Sequence, residues 1–295
     1  MSDIPIHLLL PLLASILFTL GLIATKRAGS RGASTWMIIF VGNTASATLF
    51  TGFWFTESRS VPWSLIWQPL LVGVLYILGI SLTYMALDRG DVSVATPILS
   101  SKLVWVAILL TVIAGERLSA TRWSAVLMAM LGIIMVQQTD RRGEHRRLVL
   151  TIVFALSAAS TFAMFDVLVQ EWAESWGSGH FLPIIFWTGW VLSLALLPKI
   201  DHSAWKRPGL LLPLWIGAFL VSLQAMCLVC TLAYFGDATR VNIVYALRGL
   251  WGVLFAFALA RRFDMQERHA SSRTLTCRII GAILLTGAVV LALRN

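Results

Sequence analysis

Three ionisable side chains lie inside long apolar stretches, and the chemistry of this sequence starts from them. Lys102 sits near the middle of Val92–Ala114, Arg248 in the first half of Val241–Ala260, and Asp166 toward the end of Leu148–Val169. An ionisable group at membrane depth costs roughly 2.5–3.5 kcal/mol on insertion scales, so its retention implies a use. Lys102 is about ten residues from either end of its stretch, roughly 15 Å at 1.5 Å per helical residue, too far for its head to reach water easily. Arginine offers a carboxylate or phosphate a planar fork, and lysine offers a compact point charge. The two cations are therefore candidates to bind an anionic group of a ligand. The alternatives are that one or both pair with Asp166, or that they serve a gate. Asp166 is itself a candidate carrier of a coupling proton, with an ion pair as the other reading.

Other polar and aromatic residues flank these charges. Thr96 and Ser100 precede Lys102, and Asn242 and Tyr245 precede Arg248 at a spacing of three. Trp105 and Trp251 each lie one helical turn beyond a cation. All are candidate cavity walls, against the alternative of interhelical hydrogen bonds and packing. Gly249 and Gly252 read as close-packing positions. Cys227-x-x-Cys230 has the spacing of a metal or redox pair, but it stands among Leu, Val and Met without a second ligand pair. It reads as helix packing. The five histidines fall in loops or at helix ends, so no metal is expected. No glycine-rich phosphate loop is present, nor a Ser/His/Asp or paired-carboxylate set at membrane depth. Neither a cofactor nor catalysis is expected.

The elements that must position these residues are apolar helices. Of the 295 residues 58% are hydrophobic and only 13% charged, with a mean hydropathy of +0.82. Soluble domains carry roughly 25% charged residues, so the chain cannot cover a water-facing surface. Spans of about 20 residues divide it into ten apolar segments. In the first half these are Leu8–Thr25, Trp36–Phe55, Ile66–Leu87, Val92–Ala114 and Trp123–Gln137. In the second they are Leu148–Val169, Phe181–Leu197, Leu210–Tyr234, Val241–Ala260 and Cys277–Leu293. All are expected to be helices, because backbone groups in hydrocarbon must bond within their own segment. The first run ends in Lys26-Arg27 rather than at a cleavage site and reads as a retained helix. The net charge of +9 lies mostly between segments, where it sets topology and meets anionic headgroups; nucleic-acid binding is not expected.

The longest polar gap, Gln137–Arg147, falls near mid-chain and separates two sets of five segments. A step of 146 residues carries Gly90-Asp91 onto Gly236-Asp237, Lys102 onto Arg248 and Trp105 onto Trp251. Leu131-Gly132 matches Ile280-Gly281 at a slightly larger step. Five helices per half would invert the second copy, an arrangement that places a transporter's site near the midplane. Pro97 is answered by Ile243, so only the first copy carries a proline to bend its helix. Loops after the odd-numbered segments hold most of the Lys and Arg, which puts both termini outside by the positive-inside rule.

From Tyr84 through Leu99 the sequence resembles the drug/metabolite transporter superfamily, in particular its EamA-type members. The resemblance lies in Ala86-Leu87, the small-residue turn at Gly90, the helix-opening Pro97, and then Gly115-Glu116-Arg117-Leu118 and Gly132. The second half is a degraded copy, with Ala233, Arg261-Arg262 in place of the Gly-Glu pair, and Gly281. The resemblance implies an all-α integral membrane protein of ten transmembrane helices in two inverted five-helix repeats, 1–140 and 141–295. It implies a secondary transporter, usually an exporter of small metabolites, working by alternating access in a bacterial inner membrane with both termini cytoplasmic. Its partners would be a small-molecule substrate, membrane lipid and a coupling proton or counter-substrate, with the chain a monomer or homodimer. The competing readings are an intramembrane enzyme on a lipid-linked substrate and a non-transporting scaffold. The first needs a catalytic cluster; the second gains nothing from symmetric buried charges.

Overall fold

The computed structural model describes residues 6–88, 92–137, 148–263 and 272–293. Gly90-Asp91, residues 138–147 of the mid-chain gap, and the side chains of Thr96, Arg261 and Arg262 lie outside the described residues. Every regular element described is helical. The first half supplies α1 (Leu9–Ser30), α2 (Thr35–Thr51), α3 (Trp67–Asp88), α4 (Val92–Leu99), α5 (Lys102–Ile113) and α6 (Ala120–Val136). The second supplies α7 (Leu148–Trp176), α8 (Ser178–Ser193), α9 (Leu211–Phe235), α10 (Ala238–Tyr245), α11 (Arg248–Phe263) and α12 (Ser272–Leu293). Large apolar side chains such as Val112, Val149, Leu212 and Ile283 face outward, which lipid accommodates and water does not.

Among the described residues seven helices are long and apolar enough to cross a membrane, and two shorter apolar helices, Pro97–Ile113 and Ala120–Val136, add to them. The expectation of ten uninterrupted segments needs correcting at the fourth and the ninth, which are both broken in the middle. At the first break the amides of Ser100 and Ser101 donate to Pro97 and Ile98 carbonyls at 3.1 and 2.9 Å. These are the tighter i→i+3 bonds of a 3₁₀ turn. Pro97 contributes by lacking an N–H and crowding the preceding turn. The second break repeats this pattern without a proline: Leu247 and Gly249 donate to Val244 and Ala246, each at 3.1 Å. Gly249 there weakens helix continuity. Both segments are therefore interrupted, although only the fourth has the proline. Val92 and Lys102 open the first pair of half-helices, and Ala238 and Arg248 open the second, the same step of 146 residues.

Helix ends follow local chemistry. Gly115, at φ +67°, ends α5 in a left-handed turn that lets the Glu116 amide reach the Leu110 carbonyl at 3.2 Å. This is the physical content of the Gly-Glu-Arg-Leu motif. Ser119, rather than Glu116, caps α6, accepting from the Arg122 amide. Helix α7 outlasts its apolar segment and runs on to Trp176, where Gly177 at φ +74° stops it.

The chain divides into two compact units, each drawing on both sequence halves. One comprises Met1–Leu8, Ser81–Val167 and Ala238–Asn295. Its core packs Leu103 of α5, Ala125 and Ile133 of α6, Ile243 of α10 and Leu285 of α12. The other comprises Leu9–Ile80 and Leu168–Asp237. There Met37 and Val41 of α2 pack with Leu214 and Ala218 of α9, Phe50 stacks on Phe186 at 3.7 Å, and Ser46 hydrogen-bonds Ser222 at 2.8 Å. All three intramembrane charges belong to the first unit.

Candidate functional site

Asp166 is the most enclosed of the three charges, with 1% of its surface exposed. It projects from α7, and its Oδ2 receives two donors. The Lys102 ammonium lies 2.7 Å away, and the Asn242 amide donates at 2.7 Å. Asn242 also donates to the Ala238 carbonyl at 2.9 Å, so its amide group is held from both sides. Lys102 further lies 5.8 Å from the centroid of the Phe162 ring, within cation–π range. Breaking such a buried pair strands a charge, which makes the pair costly to open.

Arg248 sits with its guanidinium 4.5 Å from the centroid of the Tyr245 ring. Lys102 is the first residue of α5 and Arg248 the first of α11. Both cations thus stand at the positive end of a helix dipole, which disfavours them and favours an anion nearby. They line a single cavity and lie close enough for each to feel the other's charge. Ser100, Asn242, Tyr245 and Gln137 add polar atoms to the lining, and Leu99, Leu103, Ile133 and Ala246 add apolar ones. The cavity volume is about 30 Å³, room for one or two waters. Chemically the arrangement concentrates positive charge and hydrogen-bond donors at a break shared by two helix pairs.

The sequence model of the EamA-like transporter family matches residues 5–137, from α1 through α6 and including Lys102. Over this segment, 133 of the 295 residues, the chain is similar to the EamA-like transporter family. That family is a transporter family within the drug/metabolite transporter superfamily. Together with the apolar helices, the match supports a multi-pass integral membrane protein. No curated protein matches the chain. A solved crystal structure is similar to this chain with a TM-score of 0.66 at 15% identity, covering 97% of this chain and 96% of that one. The fold is therefore shared over both sequence halves.

The structure gathers Lys102, Arg248, Asn242, Tyr245 and Ser100 around one cavity, with Asp166 bonded to two of them. Trp105 and Trp251 lie outside the lining, because a further turn carries them past the break; Trp251 stacks on Phe255 with centroids 6.4 Å apart. Thr96 stands on α4. Gly249 lines the cavity, whereas among the described residues a side chain at Gly252 would meet nothing within 4 Å. Asn43 and Gln224 are buried in the other unit. The residue that sequence reasoning passed over is Gln137, read only as the end of the fifth segment. It stands one turn after Ile133, and i, i+4 residues share a helix face. Its Oε1 is buried and accepts no hydrogen bond from the described residues.

Proposed function

We propose that this protein is a secondary transporter exporting a small metabolite that carries an anionic group. It works by alternating access around the cavity of α4, α5, α10 and α11. The observation that carries this is the placement of Lys102 and Arg248 as opening residues of equivalent half-helices that line one cavity. Broken helices at corresponding positions of two repeats are a recurrent way of building a transport site. The equal break positions also support two related repeats, 1–140 and 141–295, with the second inverted. Small-molecule sites run to about 300–1,000 Å³, so a cavity of about 30 Å³ belongs to a closed stage of the cycle.

The test begins with a thermal-shift screen of purified protein against amino acids, organic acids, sugar phosphates and cationic drugs. Stabilisation by cations alone removes the reading. Uptake of a stabilising anion into proteoliposomes is then expected to fall about tenfold or more in Arg248→Ala, the loss from removing one charged hydrogen-bonding partner. Lys102→Ala is expected to reduce it as well. Unchanged transport in both variants sinks the proposal. Asp166 as carrier of a coupling proton is excluded if uptake is indifferent to an imposed pH gradient.

A further inference from the structure

The unit that does not hold the cavity, Leu9–Ile80 with Leu168–Asp237, carries its charges sorted to two ends. Six of its seven Lys and Arg gather at one end. Lys26, Arg27 and Arg31 lie between the last turns of α1 and the start of α2, and Lys199, Lys206 and Arg207 lie between α8 and α9. All six are exposed. Helix α1 packs along α9, which brings the end of one beside the start of the other. Asp201 is the one carboxylate of the unit at this end. Glu57, Glu171, Glu174 and Asp237 follow or close α2, α7 and α9 at the other end. There Arg59 donates to the Glu174 carbonyl at 3.0 Å. Helix α2, with 17 residues, separates the two ends by about 25 Å at 1.5 Å per residue.

The basic end is held in shape by a reciprocal clasp. The Arg31 guanidinium donates to the Gly209 carbonyl, and that of Arg207 donates to the Gly32 carbonyl at 3.1 Å. A β-carbon at Gly32 would collide with the Arg207 guanidinium, and one at Gly209 would stand 2.9 Å from Arg31 Nη1. Arg207 also pairs with Asp201 at 2.9 Å. A carbonyl takes up one N–H without cancelling charge, so Arg31 keeps its full charge and further donors. Among the described residues no carboxylate pairs with Lys26, Arg27, Arg31, Lys199 or Lys206. Lys199 stands 4.6 Å from the centroid of the Trp36 ring, and tryptophan at the mouth of a span marks headgroup depth. Beyond the cations the exposed surface turns apolar at once. Leu22 precedes Lys26 by one helical turn, and Leu212 and Trp215 follow Arg207 on α9. Cations beside an apolar helix surface match an amphiphile. We propose that this end of the unit binds an anionic phospholipid, its phosphate meeting Arg31 and the neighbouring cations and its acyl chains lying along Leu22, Leu212 and Trp215. A free phosphate would meet exposed charges alone, each worth little in water. A lipid adds the apolar contact and is already held at the depth of the cations.

The full-length protein in a neutral detergent tests this by titration with phosphatidylglycerol, phosphatidylcholine and inorganic phosphate, with thermal stabilisation read against concentration. Phosphatidylglycerol is expected to stabilise at concentrations where the other two do not, and to lose that advantage at high ionic strength, where exposed charges are screened. Arg27→Gln combined with Lys206→Gln removes two exposed cations that hold no ion pair. It is expected to weaken phosphatidylglycerol binding about fivefold per cation while the lipid-free midpoint stays at the wild-type value. Lys26→Gln with Lys199→Gln is a second, independent pair with the same expected loss. Arg59→Gln, at the acidic end, is expected to bind phosphatidylglycerol as the wild type does. Equal stabilisation by phosphatidylcholine and phosphatidylglycerol means that apolar contact alone acts, and overturns the proposal. Inorganic phosphate as effective as phosphatidylglycerol makes this a free-anion site and overturns the lipid assignment. A phosphatidylglycerol preference that survives both double substitutions, or that falls as far in Arg59→Gln, places the lipid elsewhere and overturns the site.

Discussion

Lys102→Ala is expected to lower the stability of the detergent-purified protein by about 3–5 kcal/mol, the usual penalty for stranding one member of a buried ion pair. The Asp166 carboxylate that would remain is 1% exposed. After the substitution the Asn242 amide still donates to it at 2.7 Å. A neutral amide dipole does not replace an ammonium at the same distance. Asp166→Ala is expected to cost a comparable amount for the converse reason. Replacing both together, Lys102→Met with Asp166→Leu, is expected to recover most of the loss, because a buried pair exchanged for apolar groups of similar volume is often neutral. Denaturant titration of the four proteins in one detergent checks this. If Lys102→Ala unfolds at the wild-type midpoint, the pair contributes nothing to stability. The same result decides how transport by Lys102→Ala is read. A destabilised variant loses activity for two reasons, whereas Arg248→Ala reports on the ligand more directly.

Gly281→Val is expected to be the other severe substitution, at roughly 3 kcal/mol, the upper part of the usual range for overpacking. A β-carbon at Gly281 would stand 2.7 Å from both the Gly132 carbonyl oxygen and the Val136 amide nitrogen. One at Gly132 would stand 2.9 Å from the Gly281 carbonyl oxygen and the Leu285 amide nitrogen. Those neighbours are backbone atoms of α6 and α12, which cannot swing aside as a side chain would. Two helices that meet this closely depend on small residues at the crossing. Gly252→Ala is the control, since no described residue lies within 4 Å of the added carbon, and alanine is the better helix former. Thermal unfolding in a common detergent should order the proteins with Gly281→Val lowest and Gly252→Ala at or above wild type. A wild-type midpoint for Gly281→Val would mean that the crossing opens without penalty.

Gly132 and Gly281 show how far local sequence reaches. Their correspondence is legible in Leu131-Gly132 and Ile280-Gly281, but the contact between them is not, since nothing local states that α6 and α12 cross there. The same holds at the site. The equivalence of Lys102 and Arg248 follows from a constant step along the chain, while their sharing one cavity needed the fold. Gln137 shows the opposite case. Its spacing from Ile133 placed it on the cavity face, and its position beside a polar stretch disguised it as a helix end.

Composition and apolar segment length alone determine that this protein is helical and membrane-embedded, because the cost of unsatisfied backbone in hydrocarbon leaves an apolar segment few alternatives. They locate the segments to within a few residues, and they identify the three charges that lipid would reject. The breaks in the fourth and ninth segments were not legible. Hydropathy is summed over a whole stretch, and an i→i+3 turn at Ser100-Ser101 or Ala246-Leu247 changes none of its terms. Nor was the outcome for Lys102, which the sequence left between a ligand, a gate and Asp166. Only the tertiary structure decided that pairing, because it depends on which face α7 presents to the start of α5. That choice is made by packing between distant segments rather than by any residue's neighbours in the chain.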